Sequence, residues 1–493
     1  MQLPIFVDST VRAAIPLRSA TKSTWERLTP ALVIGILSIT SIWISFGRFQ
    51  NGQHADSIVP VLTSLQHWTP YYWDTDRYGM LLPLLAMPFR NPLTNMCAQS
   101  ALGVFAALAC SFILMYYYFD LSPIWLVAAS LQNLWLLTIA TKALQFDWFV
   151  ANPYATALCL GLLGSALIAK RSIITGSVML IVASWVNASL FLVLIPLILF
   201  RYLIRGDMRR MAQPLCIAVI GAAIGLLGKK LSHGPSSDSR VVPIAQWHVG
   251  WAELYRSASK AGPADSIAHH YLLLWMIVPA CIALALLLRH EARRYTVAVA
   301  TSWVITAIGY WLIVGTLAWT KLNLYSMRYL YPAMFLLAMA MAVLTVSPFQ
   351  NISVRSGTVI AIVAALSVFA VSTYQYGVPS RGLVRRIIHN KFGAYTNDVL
   401  STSAMLISGN YWTMWTSVFD ANATLYHDQE YHRFIYGVGY RDSTTLPHWV
   451  TRPTVCAACL VGDPEGPYWL MRSPRHFAFV QRVNSIDLYC STD

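Results

Sequence analysis

The sequence predicts a mainly α-helical membrane protein with about 11 transmembrane helices, a long first extracytoplasmic loop and a C-terminal α/β or α+β domain. Three observations lead to this fold class. The 493 residues are 56% hydrophobic and only 11% charged, whereas soluble domains carry about 25% charged residues. Apolar runs long enough to approach a bilayer crossing recur between residues 30 and 377. Beyond them, short strand-like runs alternate with Gly, Pro and Asp.

The apolar runs give the predicted spans, because a bilayer crossing requires about 20 apolar residues and shorter runs are tolerated. The division near Asn187 stays open, since one long helix through this position is the alternative. The predicted spans are 30–46, 97–119, 121–141, 154–169, 173–187, 188–204, 212–228, 270–288, 296–317, 328–347 and 357–377.

The basic residues predict the orientation. The formal net charge is +14, and Lys and Arg are denser in the loops on the N-terminal side of the membrane, as the positive-inside rule requires for a cytoplasmic N-terminus. This placement accounts for the charge without a nucleic-acid partner. No cleavable signal peptide is recognisable, and we expect a multi-pass protein of a bacterial inner membrane.

The predicted organisation follows from these spans. A cytoplasmic tail (1–29) precedes a transmembrane bundle (30–377), which carries periplasmic loops at 47–96 and 229–269. A soluble segment (378–493) then lies in the periplasm. The sequence does not indicate an oligomeric state.

Three cysteines lie in the C-terminal segment, where an oxidising compartment would allow one disulfide. A bond from Cys490 to Cys456 or Cys459 is favoured over a zinc site, since three thiols at this spacing lack a fourth ligand. A bond within Cys456-Ala-Ala-Cys459 is the weaker alternative. The other five cysteines lie in apolar runs, and we expect them to pack as small hydrophobic residues.

The first loop holds the best candidate for a catalytic group. In His54-Ala-Asp56-Ser, the acid comes shortly after the first span and precedes apolar residues at helical spacing (58–65). We expect this helix to lie on the membrane surface with Asp56 at or before its N-terminus. A carboxylate there can accept the proton of an attacking hydroxyl, with His54 as a neighbouring binding residue. A helix cap is the competing interpretation of Asp56.

The same loop contains Asp74, Asp76 and Arg77 among aromatic residues 71–73 and 78. Aromatic faces beside carboxylates and a guanidinium are the usual materials of a sugar site. They are also the materials of an interfacial aromatic belt with a local ion pair.

Further candidates lie at other outer helix ends. Asp147, between the third and fourth spans, faces Asp56 if the first two outer loops converge, and there it would orient an acceptor or hold a divalent cation. Lys321, Arg328 and Tyr329 lie at the outer end of the tenth span, where a fixed cation would stabilise the phosphate of a leaving lipid. Interfacial side chains reaching toward the headgroups are the alternative.

This layout resembles the GT-C superfamily of membrane glycosyltransferases. The resemblance consists of the acid after span 1, the late Arg328-Tyr329, the C-terminal outer domain and two tail segments. These segments, Gly409-Asn410-Tyr411-Trp412 and 435–441, are similar to tails of bacterial members.

The resemblance implies a polyprenyl-phosphate sugar as donor and a hydroxyl of a glycan, lipid or protein as acceptor. The resemblance implies that Asp56 is the base and that Arg328, together with Lys321, binds the donor phosphate. It also implies inversion of configuration at the anomeric carbon. The family often has paired acids where this chain has Ala55-Asp56. That departure argues against a metal ion at this position, unless Asp74, Asp76 or Asp147 supplies the second carboxylate.

Two other functions stay open. A transporter or flippase would move lipid-linked or small solutes, but ion-coupled transporters usually need ionisable groups near the bilayer midplane, and the apolar runs place none there. An oligosaccharide polymerase or ligase would use a large late loop, for which 229–269 is the candidate.

Overall fold

The computed structural model describes residues 24–73, 78–119, 124–138, 145–231, 240–260, 294–349, 353–430, 432–439 and 454–491. These residues are mostly helical, with one small sheet near the C-terminus. The predicted site residues Asp74, Asp76 and Arg77 and the predicted span 270–288 lie outside the described residues.

The helices are numbered along the chain. They are α1 (Thr24–Ser45), α2 (Ala55–Leu65), α3 (Leu81–Ala86), α4 (Pro92–Phe112), α5 (Trp125–Thr138), α6 (Tyr154–Ala169), α7 (Ile173–Asn187), α8 (Phe191–Arg205), α9 (Ala212–Leu231), α10 (Trp247–Lys260), α11 (Arg294–Gly315), α12 (Ala318–Leu322), α13 (Tyr331–Val346), α14 (Val354–Tyr376), α15 (Arg381–Phe392), α16 (Thr396–Leu400), α17 (Tyr411–His427) and α18 (Glu465–Met471).

Within the described ranges, seven helical runs are long and apolar enough to cross a membrane, compared with the eleven predicted spans. Two further predicted spans correspond to the apolar helices Trp125–Leu137 and Tyr154–Ala169, which are shorter than 18 residues. The seven runs are Leu28–Ser45, Pro92–Tyr116, Ile173–Arg205, Met208–Gly228, Tyr295–Gly315, Met327–Val346 and Val354–Tyr376.

The run Ile173–Arg205 is broken at Asn187. This residue has an extended backbone, and its side chain accepts a hydrogen bond from the Ser189 amide, which starts a 3₁₀ turn between α7 and α8. The run is therefore two helices and not one straight rod. Arg201 lies in the last turns of α8, with its guanidinium 4.5 Å from the centre of the Tyr118 ring.

The first-loop helix α2 forms as predicted, but its surroundings differ from the prediction. Asp56 lies in its first turn, and its apolar residues are fully buried, with Ile58 and Leu62 both 0% exposed. They pack against residues of α17, including Trp415 and Val418. Protein, rather than the membrane surface, therefore covers the apolar face of α2.

The sheet has the order β2-β1-β3-β5-β4. Its first three members are parallel, and β5 and β4 are antiparallel to their neighbours. The strands are β1 (Leu406–Ser408), β2 (Tyr436–Val438), β3 (Val455–Leu460), β4 (Ala478–Val483) and β5 (Ile486–Ser491).

A disulfide joins the paired positions Cys456 on β3 and Cys490 on β5. Cys459 is a free, buried thiol. The bond from Cys490 to one member of the Cys456/Cys459 pair is thus confirmed, and the pairing within 456–459 is wrong. The two strands run antiparallel, so Cys490 lies directly opposite Cys456.

The first loop and the C-terminal segment share one hydrophobic core. It joins α2 and the start of α4 to residues of α15, α17 and the sheet. The rings of Trp73 and Trp415 lie 5.4 Å apart inside it, and both are 1% exposed or less. The C-terminal segment is therefore packed onto the first loop and does not stand apart from it.

Candidate functional site

A cavity of about 730 Å³, counting its open mouth, lies where α2, the start of α4 and residues 150–153 meet. Asp56 lies in its wall. The polar lining residues include Gln53, Gln99, Ser100 and Asn152, and the apolar ones include Val61, Met80, Leu82 and Met96. A concave space with a largely apolar wall and a few convergent polar groups is the usual form of a small-molecule site.

The carboxylate of Asp56 is held by the C-terminal segment. The Tyr411 hydroxyl donates to Asp56 Oδ1 at 2.7 Å, and the Tyr72 hydroxyl lies 2.8 Å from that of Tyr411. Burial, with the nearby Tyr72 and Asp56, raises the pKa of Tyr411, which keeps it a neutral donor. Asp56 does not cap α2, because His54 occupies the N-cap position.

His54 lies beside this carboxylate between two aromatic rings. Its ring centre is 5.2 Å from that of Phe146 and 5.9 Å from that of Trp412. Burial lowers the pKa of His54. The charge of Asp56 opposes this shift, and the charge of Lys391 adds to it. The imidazole is therefore neutral near pH 7.

Lys391 reaches the same region from α15. Its Nζ donates to the backbone carbonyls of Asn51 and Gln53, each at 2.6 Å. Burial lowers the pKa of Lys391. This lysine ties the C-terminal segment to the turn that precedes Asp56.

Asp147 begins a π-helical stretch, Asp147–Ala151. Its Oδ2 accepts a hydrogen bond from the Tyr331 hydroxyl at 3.2 Å. Its Oδ1 lies 3.4 Å from the side-chain Nδ2 of Asn152, which lines the cavity. Burial raises the pKa of Asp147 to about 6, against the effects of the Tyr331 hydrogen bond and the Arg328 charge.

Arg328 lies in the short 3₁₀ helix before α13. Its Nη2 donates to Asn323 Oδ1 at 2.8 Å and to the Tyr329 hydroxyl at 3.2 Å. The preceding loop places Leu324 and Tyr325 at φ of 53° and 50°. Non-glycine residues rarely adopt this conformation, so the loop that positions Arg328 is strained.

Lys321 is not part of this group. Its exposed Nζ donates to Gln246 Oε1 at 2.9 Å. Gln246 belongs to the described part of the late loop (240–260), which is pinned to the bundle by hydrogen bonds between Val242 and Thr316 and between Trp251 and Leu312. Nothing in the described contacts joins Lys321 to the cavity.

The structure thus brings five of the predicted residues close to one another. The charges of Asp56 and Arg328 both act on His54 and on Asp147, and Tyr329 joins the group through Arg328. Within the described ranges, no group of three or more His, Cys, Asp and Glu side chains forms a metal-binding cluster.

Three participants were missed in the sequence. Tyr411 lies in a tail segment that carries the family resemblance. The sequence therefore marks this segment, but it does not indicate that Tyr411 contacts Asp56. In the sequence, Tyr72 is one of several neighbouring aromatic residues, and nothing in the pattern distinguishes it from the others. Lys391 lies in an amphipathic helix, and nothing in its local sequence distinguishes it from a solvated lysine.

The comparisons with known proteins add little to this geometry. No family model matches the chain, and no curated protein sequence matches it. Among solved structures, the chain is similar to ArnT from Cupriavidus metallidurans bound to undecaprenyl phosphate, at 13% sequence identity.

That match has a TM-score of 0.47 and covers 94% of this chain and 98% of the other. A score below 0.5 at this identity carries no statement about a shared fold or ligand. The function must therefore be inferred from the contacts around Asp56.

Proposed function

We propose that this protein is an inverting membrane glycosyltransferase of the GT-C type. It moves a sugar from a polyprenyl-phosphate donor to a hydroxyl of a cell-envelope glycan, lipid or protein on the periplasmic face, with Asp56 as base. The observation that carries the proposal is the position of Asp56, in the wall of a cavity that combines apolar and polar side chains and oriented by Tyr411 from the C-terminal segment.

The carboxylate is suited to accept a proton. One oxygen, Oδ1, is held by Tyr411, and Oδ2 accepts no hydrogen bond from the described residues. General-base catalysis needs an acceptor atom within hydrogen-bond reach of the attacking hydroxyl, on a side chain whose rotamer is fixed. In Asp56, the Tyr411 hydrogen bond fixes the side chain, and Oδ2 is the oxygen proposed to accept the proton.

The reaction is a single displacement. The acceptor oxygen attacks the anomeric carbon, its proton passes to Asp56, and the bond from that carbon to the phosphate oxygen breaks with its electron pair. Polyprenyl phosphate leaves, and the configuration inverts. A phosphate leaving group requires no second acid, and the guanidinium of Arg328 is the cation proposed to stabilise its charge.

The shared core supports a membrane-face location. The first loop and the C-terminal segment pack together, so they lie on the same side of any bilayer that the bundle crosses. An even number of crossings must then separate them. The predicted set satisfies this condition, since ten spans follow the first loop.

The test is a reconstitution with defined lipids. Purified protein is incubated with polyprenyl-phosphate sugars and a panel of glycan and lipid acceptors, and released polyprenyl phosphate and the anomeric configuration of the product are measured. We expect acceptor-dependent release and inversion. Flux of the intact lipid-linked sugar across proteoliposomes without bond cleavage would instead establish a transporter.

A further inference from the structure

Several polar groups in the cavity wall lack protein partners. Gln53 is 0% exposed, and neither its side-chain nitrogen nor its oxygen makes a hydrogen bond in the described structure. Gln99 uses its Nε2 for Asn95 Oδ1 and the Pro60 carbonyl, while its Oε1 accepts from no described residue. The Ser100 side chain, 2% exposed, likewise bonds to no described residue.

Such groups are uncommon in folded proteins, because a buried polar atom without a partner loses its hydration and gains nothing in return. All three residues line one cavity, and the two Gln53 amide atoms are buried in this sense. Their common position indicates that an exchangeable molecule satisfies them, either water or a ligand rich in hydroxyl groups. A ligand that replaces water must reproduce its hydrogen bonds.

The rest of the wall narrows the choice of ligand. Val61, Met80, Leu82 and Met96 give the cavity an apolar side. A sugar ring combines hydroxyl groups at its rim with apolar C–H faces, which suits a cavity of this composition. Apart from tyrosines, Asp56 is the one ionisable side chain among the described lining residues, and its negative charge would repel an anionic sugar.

We infer that this cavity binds an uncharged sugar ring and that Gln53 determines its recognition through hydrogen bonds from both amide atoms. The inference rests on the proposed glycosyltransferase function and adds the substrate class and a specificity-determining residue. The ring belongs either to the lipid-linked donor or to a glycan acceptor, and the two sources are separated by experiment.

The experiment measures equilibrium binding in the Asp56→Asn background, so that no turnover occurs. Three probes are used: a short-chain polyprenyl-phosphate hexose, the same polyprenyl phosphate without sugar, and the methyl glycoside of that hexose. Gln53→Met is compared with Gln66→Met. Gln66 directly follows the last residue of α2, and its amide atoms are also buried and unpartnered, but it does not line the cavity.

We expect Gln53→Met to weaken the binding of one sugar probe by about tenfold or more, from the loss of two hydrogen bonds. Weaker binding of the lipid-linked hexose, with the sugar-free lipid unchanged, identifies the donor ring. Weaker binding of the methyl glycoside alone identifies the acceptor ring. Gln66→Met should bind all three probes like its parent.

The inference is overturned if no sugar probe binds the parent, if Gln53→Met binds every probe like the parent, or if it weakens the sugar-free lipid equally. Thermal unfolding of each variant identifies loss of folding. Gln53→Asn keeps the amide group on a side chain that is one methylene shorter. We expect its affinity for the sugar probe to lie between those of the parent and Gln53→Met. Failure of the proposed function gives a different result. The wild type would then release no polyprenyl phosphate, whatever affinities the binding experiment measures.

Discussion

At the scale of single residues, the contact between Asp56 and Tyr411 matters most. The two residues are 355 positions apart in the chain, and a 2.7 Å hydrogen bond joins them. Tyr411 is itself in contact with the Tyr72 hydroxyl, so the carboxylate is oriented by a short chain of hydroxyl groups. A base whose rotamer is fixed presents its second oxygen to the substrate without further ordering.

Tyr411→Phe removes this hydrogen bond and leaves the ring in place. We expect kcat for sugar transfer to fall about tenfold, the equivalent of one hydrogen bond, with KM nearly unchanged. Steady-state kinetics with the polyprenyl-phosphate donor provide the measurement. Tyr395→Phe is the control, because its hydroxyl makes no hydrogen bond to the described residues. An unchanged kcat in Tyr411→Phe would remove the tyrosine from the orientation of Asp56.

Asp147 gives a prediction about pH. Burial raises its folded-state pKa to about 6 from 3.8, so the folded protein binds this proton more tightly than the unfolded chain. The resulting stability is present below pH 4 and is lost as the pH rises through 6. The difference is roughly 2 to 3 kcal/mol.

Thermal unfolding in detergent between pH 4 and 7 tests this statement. The wild type should lose more stability over this range than Asp147→Asn, which cannot ionise. The exposed Asp428→Asn is the control and should follow the wild type. Parallel curves for wild type and Asp147→Asn would show that this carboxyl titrates normally.

At the scale of elements, the link between α15 and the turn before α2 holds the site together. Lys391 donates to two backbone carbonyls of that turn, and the apolar face of α2 packs against α17. The C-terminal segment thus fixes both the position of α2 and the rotamer of Asp56.

Lys391→Met should loosen this link while keeping the length of the side chain. We expect stability to fall by about 1 to 2 kcal/mol, since hydrogen bonds from a charged donor are lost, and amide hydrogen exchange to accelerate in residues 50–57. Arg386→Met, on the exposed side of the same helix, is the matched control. Equal exchange in the two variants would contradict the proposed role of Lys391.

At the scale of the whole molecule, the predictable and the unpredictable parts have different physical origins. Hydropathy and helix-start signals act locally, so the sequence predicts the apolar helices and the position of Asp56 near the start of α2. The spacing of the three C-terminal cysteines likewise limits the possible disulfides. The covering of α2 by protein was not, because the same amphipathic pattern fits a lipid surface and a protein surface equally well.

The site itself was only partly predictable. The sequence identifies acids and cations near outer helix ends by residue type, and three of these candidates, Asp56, Asp147 and Arg328, lie near one another in the structure. Lys321 has the same local character as Arg328, yet it bonds to Gln246, and only the three-dimensional packing separates the two. Tyr411, Lys391 and Gln53 take their roles from contacts or burial that depend on distant parts of the chain.

The central claim, that Asp56 is the base of a sugar transfer, is tested most directly by turnover of Asp56→Asn on a polyprenyl-phosphate sugar, compared with Asp428→Asn. We predict that Asp56→Asn binds the donor like the wild type and releases polyprenyl phosphate at least about a hundredfold more slowly. Asp428→Asn should keep wild-type turnover. Wild-type turnover in Asp56→Asn would contradict the account.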